Sequence, residues 1–139
     1  MRWSRRLSVL VAMVAAVVLG VGAQAHAQAA PHNVGWLYTA SGSGAVFFDA
    51  DVAGYPSQEK ITVCDNRSDN RGIQAVVMGL DAGGIEIVRD SSNNGGCASL
   101  QGNLFPDGYR VEVEVCEYWN STQPGGPDYD NYNYGYGVA

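Results

Sequence analysis

Tyr109 to Tyr118 reads YRVEVEVCEY. Val111, Val113 and Val115 fall on one side of an extended chain, and Arg110, Glu112, Glu114 and Cys116 fall on the other, because successive strand side chains point to opposite faces. One face belongs to a core and the other to solvent. This is a half-buried antiparallel strand, and the rest of the chain repeats its theme. Short runs rich in Val, Ile, Phe and Tyr stand at Trp36–Tyr38, Ala45–Asp49, Lys60–Cys64, Ile73–Met78, Ile85–Arg89 and Ala98–Gln101. Clusters of Gly, Asn, Asp, Ser and Pro separate them, and no long helical period follows residue 27.

The turns carry their own signals. Asp81-Ala-Gly-Gly84 reads as a hairpin connection, with glycine expected at positive φ. Asn93-Asn-Gly-Gly96 and Pro106-Asp-Gly108 read as turns in the same way. The predicted fold is therefore all-β: an immunoglobulin-like or Greek-key antiparallel sandwich of about seven strands, with a small antiparallel barrel as the alternative. Of the aromatic residues, Trp36, Tyr38, Phe47, Phe48, Tyr109 and Trp119 are the expected core anchors.

Residues 1–27 read as an export signal rather than as part of this fold. Arg2, Arg5 and Arg6 form a basic start, Leu7 to Val21 is an almost unbroken apolar run, and Ala25-His-Ala27 is a small-x-small cleavage pattern. Cleavage is expected before Gln28, with Ala27-Gln-Ala29 and Ala23-Gln-Ala25 as rival patterns. The apolar run is shorter than the roughly 20 residues a spanning helix requires. The expected location is thus extracellular, in the medium or cell-wall space, with no membrane anchor after cleavage.

From residue 28 onward the chain carries five basic and fourteen acidic side chains. Phosphate backbones and anionic lipid surfaces attract the opposite charge, so nucleic-acid and membrane partners are not expected. The partner classes left are an extracellular protein or a cell-surface polysaccharide.

Domain organisation follows from composition: a sandwich domain over 28–121, then a Gly/Pro/Tyr-rich segment over 122–139. Within that segment Tyr132, Tyr134 and Tyr136 alternate with small or polar residues, which suits an edge strand or a loosely docked tail. Together with Tyr118, Trp119 and Tyr129 they form a possible aromatic surface. Such rings bind sugars or proteins through their faces and hydroxyls.

Three cysteines leave one unpaired if a single bridge forms. Loop entropy changes only logarithmically with span and does not choose the pair. Strand geometry does, because in a sandwich of immunoglobulin type the second and fifth strands are antiparallel neighbours. Cys64 ends one and Cys97 begins the other, so Cys64–Cys97 is the expected bridge and Cys64–Cys116 the alternative. Cys116 is then a free thiol on the polar strand face, available for an intermolecular dimer. Glu114 and Glu117 beside it disfavour the thiolate a catalytic cysteine needs.

Val63-Cys-Asp65, Gly96-Cys97 after a Gly/Asn turn, and Val115-Cys-Glu117 together resemble a group of small secreted actinobacterial proteins of unknown function. The resemblance spans about Ala45 to Glu117 and assigns no active residues. Its members often carry a fourth cysteine shortly after the third, and none follows Cys116 here.

Chemical constellations are sparse. Asp65-Asn-Arg-Ser-Asp-Asn70 has the composition of a calcium loop but places Arg67 where an oxygen ligand belongs, and it lacks a later bidentate glutamate, so it reads as a turn. The Asp49/Asp51 pair is discounted likewise. Glu112 and Glu114 lie about 6.6 Å apart along one strand at a rise near 3.3 Å per residue. Catalytic carboxyl pairs come from separate elements across a cleft, so these two read as a solvated face. His26 leaves with the signal and His32 lies near the new N-terminus, so no histidine relay or zinc site assembles. The asparagines of Asn66-Arg-Ser68 and Asn120-Ser-Thr122 match a glycosylation sequon. No catalytic residue, metal or cofactor is expected. The leading functional expectation is a non-enzymatic extracellular interaction or structural module, and the alternative is a carbohydrate-binding module or small wall-active enzyme.

Overall fold

The computed structural model describes residues 28–91, 94, 96–120 and 126–139. The expected export signal lies outside the described residues, as do parts of the turn at 93–96, the sequon at 120–122 and the Pro/Gly breaker at 123–127. Eight strands follow one another: β1 Val34–Tyr38, β2 Gly44–Asp49, β3 Glu59–Asp65, β4 Gly72–Gly79, β5 Ile85–Asp90, β6 Ala98–Gly102, β7 Arg110–Trp119 and β8 Asp128–Val138. All seven strands read from the sequence are present, and the eighth comes from the C-terminal segment. Among the described residues no helix is long and apolar enough to cross a membrane.

The strands form two antiparallel four-stranded sheets, ordered β1-β2-β3-β6 and β5-β4-β7-β8. This is a sandwich with Greek-key crossings, since β3 to β4, β5 to β6 and β6 to β7 each change sheet. Its core is built from the alternation already visible in the sequence. Val46 and Phe48 of β2, Ile61 and Val63 of β3, Ile73, Ala75 and Val77 of β4, and Val111, Val113 and Val115 of β7 are all buried between the sheets. Each valine, isoleucine or phenylalanine so buried contributes about 1.5–3 kcal/mol relative to exposure.

The aromatic anchors need correction. Of those expected, only Phe48 is fully buried, and its ring partner in the core is Phe105, edge-on at 6.4 Å. Trp36 and Tyr38 are half exposed. Trp36 packs against Phe47 on the outer face of the first sheet, at 5.5 Å between ring centroids.

Two connections show what the turn residues do. Gly79 N–H donates to Gly84 O at 3.0 Å, closing the hairpin between β4 and β5. Neither Gly83 nor Gly84 adopts positive φ, so the hairpin forms without the conformation assigned to it. Gly108 does adopt it, at +79°, and Tyr109 N–H bonds Pro106 O at 3.2 Å. The loop at 65–70 is a turn as expected: the Asp65 carboxylate accepts from Arg67 N–H and the Asp69 carboxylate from Arg71 N–H, each at 3.0 Å. Asn70 supplies the left-handed residue at φ 61°.

Candidate functional site: the outer face of the second sheet

β8 explains its own composition. Gly135 and Gly137 face inward, opposite Val113 and Val111, while Tyr134 and Tyr136 face outward, opposite Glu114 and Glu112. β1 comes so close on the inner side that a Cβ on Gly135 would meet Val34 at 2.8 Å, and one on Gly137 would meet the His32 carbonyl at 2.6 Å. Glycine is what lets the strand seal against β1. The tyrosines then fall together on the opposite side because strand side chains alternate. Asn131, at φ 57°, marks a bulge opposite β7 that keeps Tyr132 on the same exposed face.

The resulting surface has three stripes. Tyr132, Tyr134 and Tyr136 run along β8 and are 42%, 48% and 63% exposed. The Tyr132 and Tyr134 rings are parallel within 6° at 6.5 Å, one strand repeat apart. Beside them on β7 stand Glu112 and Glu114, half-buried, each hydrogen-bonded to the tyrosine opposite it. The phenols of Tyr134 and Tyr136 are shifted upward in pKa. Burial leads for Tyr134, followed by the Glu114 charge; for Tyr136 the hydrogen bond to Glu112 leads, followed by its charge. Beyond β7, the exposed Met78 of β4 and Ile85 and Ile87 of β5 complete an aliphatic stripe.

The six residues read as an aromatic surface therefore divide. Tyr132, Tyr134 and Tyr136 form one exposed row. Tyr118 and Tyr129 occupy the far end of the same face, half-buried, where Arg89 lies over the Tyr118 ring at 5.2 Å and donates to the Tyr129 hydroxyl at 3.1 Å. Trp119 points the other way and is covered by Arg71 at 4.3 Å. The two arginines thus take these rings out of the exposed row.

The bridge is Cys64–Cys97, as the strand geometry requires. Cys97 immediately precedes β6, whose first residue Ala98 pairs with Val63, so the two Cα atoms lie 4.4 Å apart. The strands it joins are the third and sixth rather than the second and fifth, because one additional N-terminal strand precedes them. Cys116 is free and lies on the outer face opposite Gln74, but it is fully buried rather than wet. Arg89 donates to the side chain of Gln74 at 2.7 Å on the same face. Burial, reinforced by the Glu114 charge, pushes the thiol up to about 11. The Cys116 sulfur is buried and therefore not presented to a second folded chain. Cys64 is bonded to Cys97, so the alternative Cys64–Cys116 bridge is not formed.

Sequence reading missed a polar cluster at the end of the sandwich. Glu117 shares the inward parity of Val111, Val113 and Val115 and is 2% exposed. Ser41, Ser43 and Asn131 hydrogen-bond to it, and Arg71 donates from 2.6 Å. Burial alone raises its pKa, but these donors outweigh burial and hold the carboxylate at about 2. The alternation in VEVEVCE already contained the signal, because residue 117 falls on the valine side. Ser41, Ser43, Arg71 and Asn131 thus tie the end of β7 to the loops around it. Among the described residues no group of three or more His, Cys, Asp or Glu side chains is placed to hold a metal ion.

Comparison with protein-family models, curated proteins and solved structures finds no match to this chain.

Proposed function

We propose that this chain works outside the cell as a non-enzymatic interaction module, and that the outer face of the β5-β4-β7-β8 sheet is its working surface. One observation carries the reading. Three tyrosines on a regular strand stay exposed in a row, although the same strand buries its glycines tightly against β1. Rings held by a rigid sheet give up little conformational entropy on binding, which is why aromatic residues dominate the centres of interaction surfaces. Export rests on the leader-like residues 1–27 and agrees with a disulfide, which persists in oxidising compartments.

A second reading, carbohydrate binding, draws on the same row. Tyrosine hydroxyls beside carboxylates offer both donors and acceptors to sugar hydroxyls, next to rings that take apolar sugar faces. The two readings separate by retention of purified protein on chitin, cellulose, peptidoglycan and an immobilised extracellular protein fraction. Retention on the protein fraction, lost in Tyr134→Ala/Tyr136→Ala, is the expected result. Retention on a polysaccharide that the same variant loses assigns the face to sugars, and retention indifferent to the variant removes this face as the working surface.

A further inference from the structure

The geometry points to an extended polypeptide with basic side chains at alternate positions as the occupant of the tyrosine row. This inference rests on the outer face being the working surface and adds the chemistry of the partner.

The face repeats a two-part unit, a tyrosine ring with a carboxylate beside it: Tyr136 with Glu112, then Tyr134 with Glu114. Both members belong to adjacent strands in register, so the unit recurs every two residues. That is about 6.6 Å, the spacing at which a second extended chain presents side chains on one side. Ring faces attract cations through the aromatic quadrupole, and a carboxylate beside the ring adds a full negative charge. A ligand with a Lys or Arg at every second residue therefore meets one unit per basic group. Tyr132, stacked one repeat further along, extends the row.

Among the described residues no basic side chain forms an ion pair with these carboxylates. Arg110, at one end of the face, is held by Asp81 at 2.6 Å, and Arg89, at the other, is spent on Gln74 and Tyr129. The charge balance agrees, since acidic side chains outnumber basic ones by fourteen to five beyond the leader. Across β7, Met78 and Ile87 give the aliphatic stems of long basic side chains an apolar surface to lie on.

Fluorescence anisotropy with labelled peptides tests the proposal on the purified protein. The probes are a repeated Lys-Thr peptide, its Gln-Thr counterpart, a Lys/Thr peptide of equal composition arranged in two blocks, and a glucosamine oligomer. The Lys-Thr repeat is expected to bind at least about tenfold more tightly than the Gln-Thr repeat at low salt. Glu112→Gln/Glu114→Gln is expected to remove about tenfold of that affinity, and added salt to weaken it. These substitutions are nearly isosteric on a solvated face, and an unchanged thermal midpoint verifies folding. The peptide series and the salt titration use the unmodified chain and stand independently of any variant. Absence of Lys-Thr binding, equal binding of the Gln-Thr or block peptide, or indifference to the glutamine variant overturns the proposal. Tighter binding of the glucosamine oligomer overturns it in favour of an amino-sugar ligand. If the Gln-Thr peptide binds equally and Tyr134→Ala/Tyr136→Ala abolishes it, the face remains the working surface and only the cationic partner falls.

Discussion

At the scale of single residues, two buried carboxylates pull stability in opposite directions with pH. Glu117 is surrounded by donors and its folded pKa is depressed to about 2 from an ordinary 4.5. Its contribution is present above the unfolded pKa and is lost as pH falls from about 4.5 toward 2, a linkage of about 3 kcal/mol. Glu59 is the reverse case. It is fully buried, accepts at one oxygen from Leu104 N–H at 2.7 Å and Phe105 N–H at 3.3 Å, and leaves Oε1 without a partner. Burial raises its pKa despite those bonds, so its contribution is fully present below about 4.5 and is lost as pH rises through the folded value. Chemical denaturation across pH 2 to 8 is expected to separate them. Glu59→Gln should stabilise the protein at neutral pH by about 1–2 kcal/mol, because a charge no longer has to be buried. Glu117→Gln should destabilise it there by about 2–3 kcal/mol, because Arg71 and two serines lose their anion. The same sign for both variants at neutral pH would contradict this assignment.

At the scale of elements, β8 is the piece whose role depends most on what it touches. As a sequence, DYDNYNYGYGV has the alternation of an edge strand and the low complexity of a tail. Its β identity becomes intelligible once the chain at 32–37 lies beneath it: positions 135 and 137 are glycine because a Cβ there would meet the Val34 side chain and the His32 carbonyl. Gly137→Ala is therefore expected to cost about 1–3 kcal/mol by overpacking, since the new Cβ meets a carbonyl fixed by the His32–Val138 bridge. Gly83→Ala is the control. No atom lies within 4 Å of a Cβ there and its φ is ordinary, so the change should be neutral or slightly stabilising. Thermal midpoints of the two variants test the contrast, and equal shifts would show that β8 does not seal the sandwich. β7 was legible over Val111–Val115, where valines and glutamates alternate, and not beyond it, where Cys116 and Glu117 are both buried, whereas the Phe105 anchor sits in a loop where no periodicity announces it.

At the scale of the whole molecule, two sheets of four strands are held by an apolar interior, a polar cluster at one end and a disulfide within the first sheet. The bridge closes a span of 33 residues, for which loop entropy predicts about 3–4 kcal/mol. Cys97→Ser should lower stability by that order while leaving the far-ultraviolet spectrum of a β protein. An unchanged denaturation midpoint would mean that the unfolded chain is already constrained between β3 and β6. The sequence by itself determined the β class and seven of the eight strands, because side-chain alternation and turn chemistry are local properties written at a period of two, whereas the Cys64–Cys97 pair was chosen over Cys64–Cys116 only by the strand adjacency of the fold. It also placed the tyrosines on one side of whatever strand they joined. Only the tertiary structure decided which polar groups are buried, that Cys116 is buried on an outer face, and that Trp36 faces out while Phe105 faces in. Those outcomes depend on which strand lies opposite which, and a chain read one residue at a time carries no record of the neighbours that the second sheet supplies.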